Sequence, residues 1–388
     1  MAKAQKSKVA SKGETPKDSS RPRRPLARRV AFAALAVSLI LVLLEGLLSV
    51  IWVAIDVNSV LQERPKVEVL REEYHCQYDE ELGWANKPSI KLEDFYGKGR
   101  SITINANGVR GLTDFNEQKP EKTFRTICLG DSFTLGYGVD DPDTFPHQLQ
   151  TLAGDGQEVV NMGQGGYSVG QCHLWLKRLA PKLKPDLVVC VFIIEDFRRL
   201  LIERTANGFA TPQFTVTDEG GLTVSNIPVP AKLEAGSKMS RQGELVGAMK
   251  KSSALFRTIG QVIKDPAPPT DDEALFIGAH VIKATSALCR EMDCPLVLAL
   301  IPTLPELRDS GRISHYEAVS QALADLMKQD QIPFLDLQPA FLRENNVALR
   351  LFLTDAFQHY SAAGNAIVAR ELDQWLRKTV PDYGSQPE

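Results

Sequence analysis

Three hydrophobic patterns follow one another along the chain. From Val30 to Ile55 the residues read VAFAALAVSLILVLLEGLLSVIWVAI, longer than the roughly 20 apolar residues that a helix needs to cross a bilayer core. Between residues 76 and 120 the apolar residues come in short alternating pieces such as SITINANGVRG, broken by Gly and Asn, which predicts short strands and turns. From Phe124 onward, compact apolar runs alternate with amphipathic stretches. FRTICLGDS, EVVNMGQGG, PDLVVCVFIIED, PLVLALIP and IPFLDL read as strands. DTFPHQLQTLAG, VGQCHLWLKRLAPKLK, ALFIGAHVIKATSALCREM, ISHYEAVSQALADLMKQD and SAAGNAIVARELDQWLRKTV read as helices, the first beginning after a cap at Asp143. PDLVVCVF is apolar almost without interruption, as in a strand buried on both faces. The alternation predicts an α/β fold, a parallel sheet with helices on both sides. It pauses at residues 203–270, where PQFTVTDEGGLTVSNIPVP alternates with period two around Gly-Gly and predicts a β-hairpin insertion.

These patterns divide the 388 residues into a basic tail (1–29), a membrane helix (30–55), a connector with a small β extension (56–123) and an α/β domain (124–380). Charge sharpens the division. The tail carries ten Lys and Arg against Glu14 and Asp18, a surplus of eight positive charges, so with the whole chain at −3 the remainder stands at −11. An acidic body argues against nucleic-acid binding. A basic tail before an apolar run places the N-terminus in the cytoplasm and the rest outside it, periplasmic or extracellular. A cleavable signal is the rival reading, but its apolar core is usually about 7–15 residues. DVNSVLQERP, which follows the run, offers no small-x-small cleavage site. Glu45 lies inside the span, and a carboxyl there marks a candidate contact for a second helix or a membrane-protein partner. Six cysteines (Cys76, Cys128, Cys172, Cys190, Cys289 and Cys294) fall beyond the span without the spacing of a zinc site. Cys289 and Cys294 could pair only if the turn between them brings their Cα atoms within about 7 Å, and the spacing assigns neither a metal nor a disulfide.

In open α/β sheets the chemistry gathers beyond the carboxyl ends of the strands. GDSFTLGYG, NMGQGGYS and IIEDF follow strands there, and TDAFQHYSAAGN leads into the last helix. A serine becomes a nucleophile when a histidine takes its proton and a carboxylate orients that histidine. Ser132, His359 and Asp355 are the residue types required. Ser132 opens a helix, where backbone N–H groups are unpaired, and Gly166 allows a second backbone donor to approach.

The ordered stretches ICLGDSFTLGYGV, VVNMGQGGYS, PDLVVCVFIIEDF and DAFQHYSAAGN resemble the blocks of the SGNH (GDSL-type) hydrolases across residues 124–378. INANGVRG resembles the N-terminal extension of membrane-anchored bacterial members. The resemblance implies a flavodoxin-like three-layer α/β/α fold and a covalent serine mechanism without a cofactor. Ser132 would be the nucleophile, His359 the base and Asp355 the acid, with the N–H groups of Ser132 and Gly166 receiving the oxyanion. The implied substrates are O-acyl esters, and O-acetyl groups on envelope carbohydrate suit an extracytoplasmic domain, by hydrolysis or by transfer. Two positions depart from the family pattern. Its third block ends in an Asn whose amide serves the oxyanion, and here Glu195 stands there, followed by Asp196. An ionised carboxylate cannot donate a hydrogen bond, whereas a buried, protonated one can. Asp355 also precedes His359 by four residues, where the family has two or three. The alternative function is a degenerate domain that binds glycan or serves assembly in an envelope complex, using Glu45 and the anchor for contacts.

Overall fold

A computed structural model describes residues 26–61, 74–205, 208–231, 254, 271–345, 347–354 and 358–385. The chain divides into two compact units, Met1–Gln62 with Ser240–Lys264, and Glu63–Met239 with Asp265–Glu388.

In the first unit, helix α1 spans Leu26–Leu61. Its stretch Arg28–Ile51 contains an 18-residue window of mean hydropathy 2.6 and is long and apolar enough to cross a membrane. The consecutive residues Leu39, Ile40, Leu41, Val42 and Leu43 are all exposed, so this helix presents apolar side chains around its circumference rather than along one stripe. Glu45 accepts a hydrogen bond from the backbone N–H of Ala254 at 2.6 Å. Its carboxyl therefore has a partner within its own unit.

The second unit is built on five parallel strands: β5 (Phe124–Gly130), β6 (Gln157–Gly163), β7 (Leu187–Phe192), β10 (Leu296–Leu300) and β11 (Phe334–Asp336). Their spatial order is β11-β10-β7-β5-β6, the flavodoxin-like order, whose switch point lies between its first and third strands, here β5 and β7. The apolar run in β7 divides as the pleat requires. Leu187, Val189 and Val191 enter one core, while Val188, Cys190 and Phe192 enter the other. Helices α3 (Phe145–Ala153) and α8 (Ala362–Thr379) cover the first face, and α4 (Val169–Leu183), α6 (Asp271–Glu291) and α7 (Ser310–Gln329) the second. Between β5 and α3 sits the single turn α2 (Ser132–Leu135), and after β7 the short α5 (Ile194–Arg198). Thr144 rather than Asp143 caps α3, its hydroxyl accepting from the N–H of His147.

Short antiparallel pairs decorate this frame. Strands β1 (Cys76–Asp79) and β2 (Gly83–Asn86) form one, and β3 (Ile90–Leu92) and β4 (Ile102–Ile104) another. The insertion hairpin is β8 (Gln213–Val216) with β9 (Leu222–Ser225), turning at Gly220 and Gly221. Phe214 of this hairpin packs on Gly170 at the head of α4, where any Cβ would fall 2.3 Å from its ring. Most of the remaining insertion, 232–253 and 255–270, lies outside the described residues. All six cysteines are buried free thiols.

Candidate active site

Ser132 sits where β5 ends at the switch point. Asp131 caps α2, its Oδ1 accepting the N–H of Phe133 at 2.8 Å, so Ser132 takes the first helical position and not the cap itself. A four-residue helix does not hold itself, and two features clamp it. Gly163 at the end of β6 lets it settle on the sheet edge, because a Cβ there would lie 1.9 Å from the backbone N of Leu135. Buried Arg110 donates from Nη1 to the carbonyls of Leu135 at 3.0 Å and Gly136 at 2.6 Å. It donates from Nη2 to Val139 at 2.7 Å and from Nε to Asp141 at 2.9 Å. The INANGVRG stretch thus delivers an arginine to the carbonyl end of the serine's helix.

His359 arrives from the far end of the chain. Its Nε2 lies 2.7 Å from Ser132 Oγ. Its ring stacks on Phe133 at 4.5 Å between centroids and meets Tyr137 at 4.9 Å. Its carbonyl accepts from the N–H of Leu353 at 2.7 Å. Next in sequence, buried Tyr360 donates to the carbonyl of Pro302 at 2.5 Å. Ser361 then caps α8, and Asn365 accepts from the N–H of Phe145 at 3.0 Å. Every residue of HYSAAGN with a long polar or aromatic side chain therefore has a positioning contact. Asp355 lies outside the described residues.

A buried ionic cluster lies beside the serine. Asp131 Oδ2 is 3.3 Å from Ser132 Oγ and 3.0 Å from Arg199 Nη1. Arg199 Nη1 also donates to the carbonyl of Tyr167 at 3.1 Å and to Asp196 Oδ1. Asp196 is fully buried and accepts the N–H of Ile193 at 3.0 Å. Burial first, and the charge of Asp131 second, push the Asp196 carboxyl well above the usual range, against the pull of Arg199. Burial by itself would lower the pKa of Arg199, but the charges of Asp196 and Asp131 outweigh it and hold the guanidinium firmly protonated.

Helix geometry explains where Glu195 went. Successive residues on a helix are turned by about 100°, so residues three apart share a face. Glu195 pairs with Arg198 at 3.3 Å, and Asp196 pairs with Arg199. The first pair faces outward, with the Glu195 side chain 45% exposed, and the second faces inward. The Glu195 side chain is therefore not buried. Arg198 continues outward to Asp271, which also meets His315 at 2.6 Å. Gly166, in the loop after β6, has a left-handed φ of 74° and faces Trp84, whose indole N–H donates to the carbonyl of Gly165 at 3.0 Å.

A cleft of about 290 Å³ opens over Ser132 and His359, walled by Phe133, Arg199, Leu304 and Gln358 among others. Neither Glu195 nor Gly166 is among its described walls. Arg199 and Arg110 were absent from the expected site. The i, i+3 charge pairs in EDFRR were the one local signal for Arg199.

The parallel sheet and its switch point define a flavodoxin-like α/β protein with the serine turn at the carboxyl edge of its sheet. Residues 128–367 match the GDSL-like Lipase/Acylhydrolase family, and the chain belongs to that family. No curated protein sequence matches it. Among solved structures it is similar to TesA, at 14% identity over 66% of this chain and 98% of that one, with a TM-score of 0.39. It is similar to a catalytic mutant of Axe2, an acetylxylan esterase from Geobacillus stearothermophilus, at 14% identity over 67% and 95%, TM-score 0.39. The inhibitor-bound M. smegmatis aryl esterase is 12% identical over 66% and 100%, TM-score 0.39.

Proposed function

We propose that the protein is a membrane-anchored serine esterase that removes small acyl groups by a covalent mechanism. The observation that carries the reading is the 2.7 Å approach of His359 Nε2 to Ser132 Oγ. Ser132 Oγ attacks the ester carbonyl carbon, its proton passes to Nε2, and the carbonyl π pair moves onto oxygen. Collapse of that intermediate expels the alkoxide, which takes the proton from Nε2 and leaves an acyl-serine. Water attacks the acyl-serine by the same route, and a sugar hydroxyl in its place gives transfer. An imidazole that accepts at Nε2 carries its proton on Nδ1, and Asp355 is the residue assigned to hold that tautomer. The N–H groups of Ser132 and Gly166 are the backbone donors assigned to the oxyanion.

The cleft lies at the lower end of the range for ligand pockets and favours a compact acyl group such as acetyl. The basic tail and the apolar helix favour a cytoplasmic N-terminus and an extracytoplasmic catalytic domain, which makes O-acylated envelope carbohydrate the substrate in reach.

A fluorophosphonate probe on the full chain in detergent tests the mechanism. It is expected to label wild type at Ser132, and Ser132→Ala and His359→Gln are expected to lose labelling and esterase turnover by about 10³-fold or more. A folded wild type that takes no label at Ser132 ends the nucleophile assignment and favours a binding role.

A further inference from the structure

The family pattern calls for a side-chain donor to the oxyanion after β7, and the residue at that sequence position faces away. Glu195 is half exposed and paired with Arg198. One turn of chain further, Arg199 enters the cleft that holds Ser132 and His359. Asp131 Oδ2 bridges the two groups, 3.3 Å from Ser132 Oγ and 3.0 Å from Arg199 Nη1. Nη1 serves Asp131, Asp196 and the Tyr167 carbonyl. Nη2 and Nε have no hydrogen-bond partner among the described residues, while the side chain is 21% exposed.

We propose that Arg199 is the side-chain oxyanion donor of this enzyme, its guanidinium taking the place of the missing amide. The inference rests on the serine-esterase reading above and names a further catalytic residue within it. A guanidinium carries five N–H donors in a rigid fork, so one edge can hold the protein while another serves a ligand. Asp131 and Asp196 grip one nitrogen and thereby orient the rest. Preorganised donors of this kind act without rearranging as charge develops. The positive charge also offsets Asp131, whose carboxylate, 3.3 Å from Oγ, would otherwise oppose an oxyanion formed nearby. When the serine attacks, the electron pair displaced onto the carbonyl oxygen is met by Arg199 N–H groups together with the backbone donors. When the intermediate collapses, that pair returns to the carbonyl and the guanidinium keeps all its protons.

The test uses the full chain in detergent with p-nitrophenyl acetate, after fluorophosphonate labelling of wild type at Ser132. Absence of that label removes the esterase reading itself, which separates its failure from the failure of this proposal. Arg199→Lys keeps a cation against Asp131 but loses the fork. It is expected to lower kcat about 10²-fold with KM within about threefold of wild type, the signature of an interaction made only in the transition state. Arg199→Ala is expected to lose about 10²–10³ in kcat and to regain at least about tenfold of it on addition of millimolar guanidinium chloride. The proposal is overturned if Arg199→Lys keeps kcat within about threefold of wild type, or if its loss falls on KM. It is equally overturned if folded Arg199→Ala, with an unchanged melting temperature, is not rescued, because a purely structural arginine behaves that way. If Arg199→Ala does not fold, Arg199→Lys decides alone.

Discussion

Single residues in this protein are set by partners far away in sequence. Arg199 finds Asp131 across 68 residues, and Ser132 finds His359 across 227. His75 shows what such burial does to a titrating group. It is fully buried, with Nδ1 3.1 Å from Asn86 Oδ1. Nε2 has no partner among the described residues. Burial leads the causes that lower its pKa to about 4, the hydrogen bond to Asn86 opposing and Arg110 and Lys87 adding to the fall. The unfolded chain takes up this proton near pH 6.5 and the folded chain only near 4. Between those values the unfolded state holds more protons, so the contribution is intact above about pH 6.5 and is lost as pH falls. We expect wild type to lose about 3 kcal/mol more stability from pH 7 to pH 4 than His75→Gln does. Urea unfolding midpoints at the two pH values measure this, and parallel losses in the two proteins would refute it.

At the scale of elements, the serine's helix is the part most dependent on its surroundings. GDSFTLGYG announced a strand-to-helix turn, but nothing local announced what holds a one-turn helix in place. The INANGVRG stretch does so through a turn of its own. Asn105 Oδ1 accepts the N–H groups of Asn107 at 3.0 Å and Val109 at 3.2 Å, Gly108 takes φ +78°, and Arg110 is delivered to α2. Gly163 supplies the other half of the clamp. Gly163→Ala would place a methyl 1.9 Å from Leu135 N and 2.4 Å from Thr134 C, backbone atoms that cannot swing aside. Overpacking of this kind costs about 1–3 kcal/mol. The displaced helix carries Ser132, so fluorophosphonate labelling should slow by at least about tenfold, since small misplacements are costly near reacting atoms. Wild-type labelling rate together with an unchanged melting temperature would show that α2 does not rest on this glycine.

For the whole molecule, the decisive features are the apolar helix and the parallel sheet. A helix with an 18-residue window of mean hydropathy 2.6 and outward apolar side chains has the composition of an anchor. If it is one, the full chain stays with membranes through an alkaline carbonate wash, and its release into the supernatant would refute the anchor. In the sheet, alternate residues of the apolar run in β7 divide between two cores, and the order β11-β10-β7-β5-β6 sets the ends of β5 and β7 side by side.

By itself, the sequence determined whatever depends on near neighbours. Periodicity and capping marked the strands and helices, strand–helix alternation marked the parallel sheet, and the ordered stretches around Ser132, Gly166 and His359 marked the family. Only the tertiary structure decided the site's electrostatics. It brought His359 to Ser132, turned Glu195 outward to Arg198 and turned Arg199 inward to Asp131. The physical reason is that the rotation of about 100° per residue separates the Glu195–Arg198 pair from the adjacent Asp196–Arg199 pair, so that one faces outward and the other inward. Which of the two faces the cleft depends on how α5 packs against the rest of the fold, and residues distant in sequence control that packing.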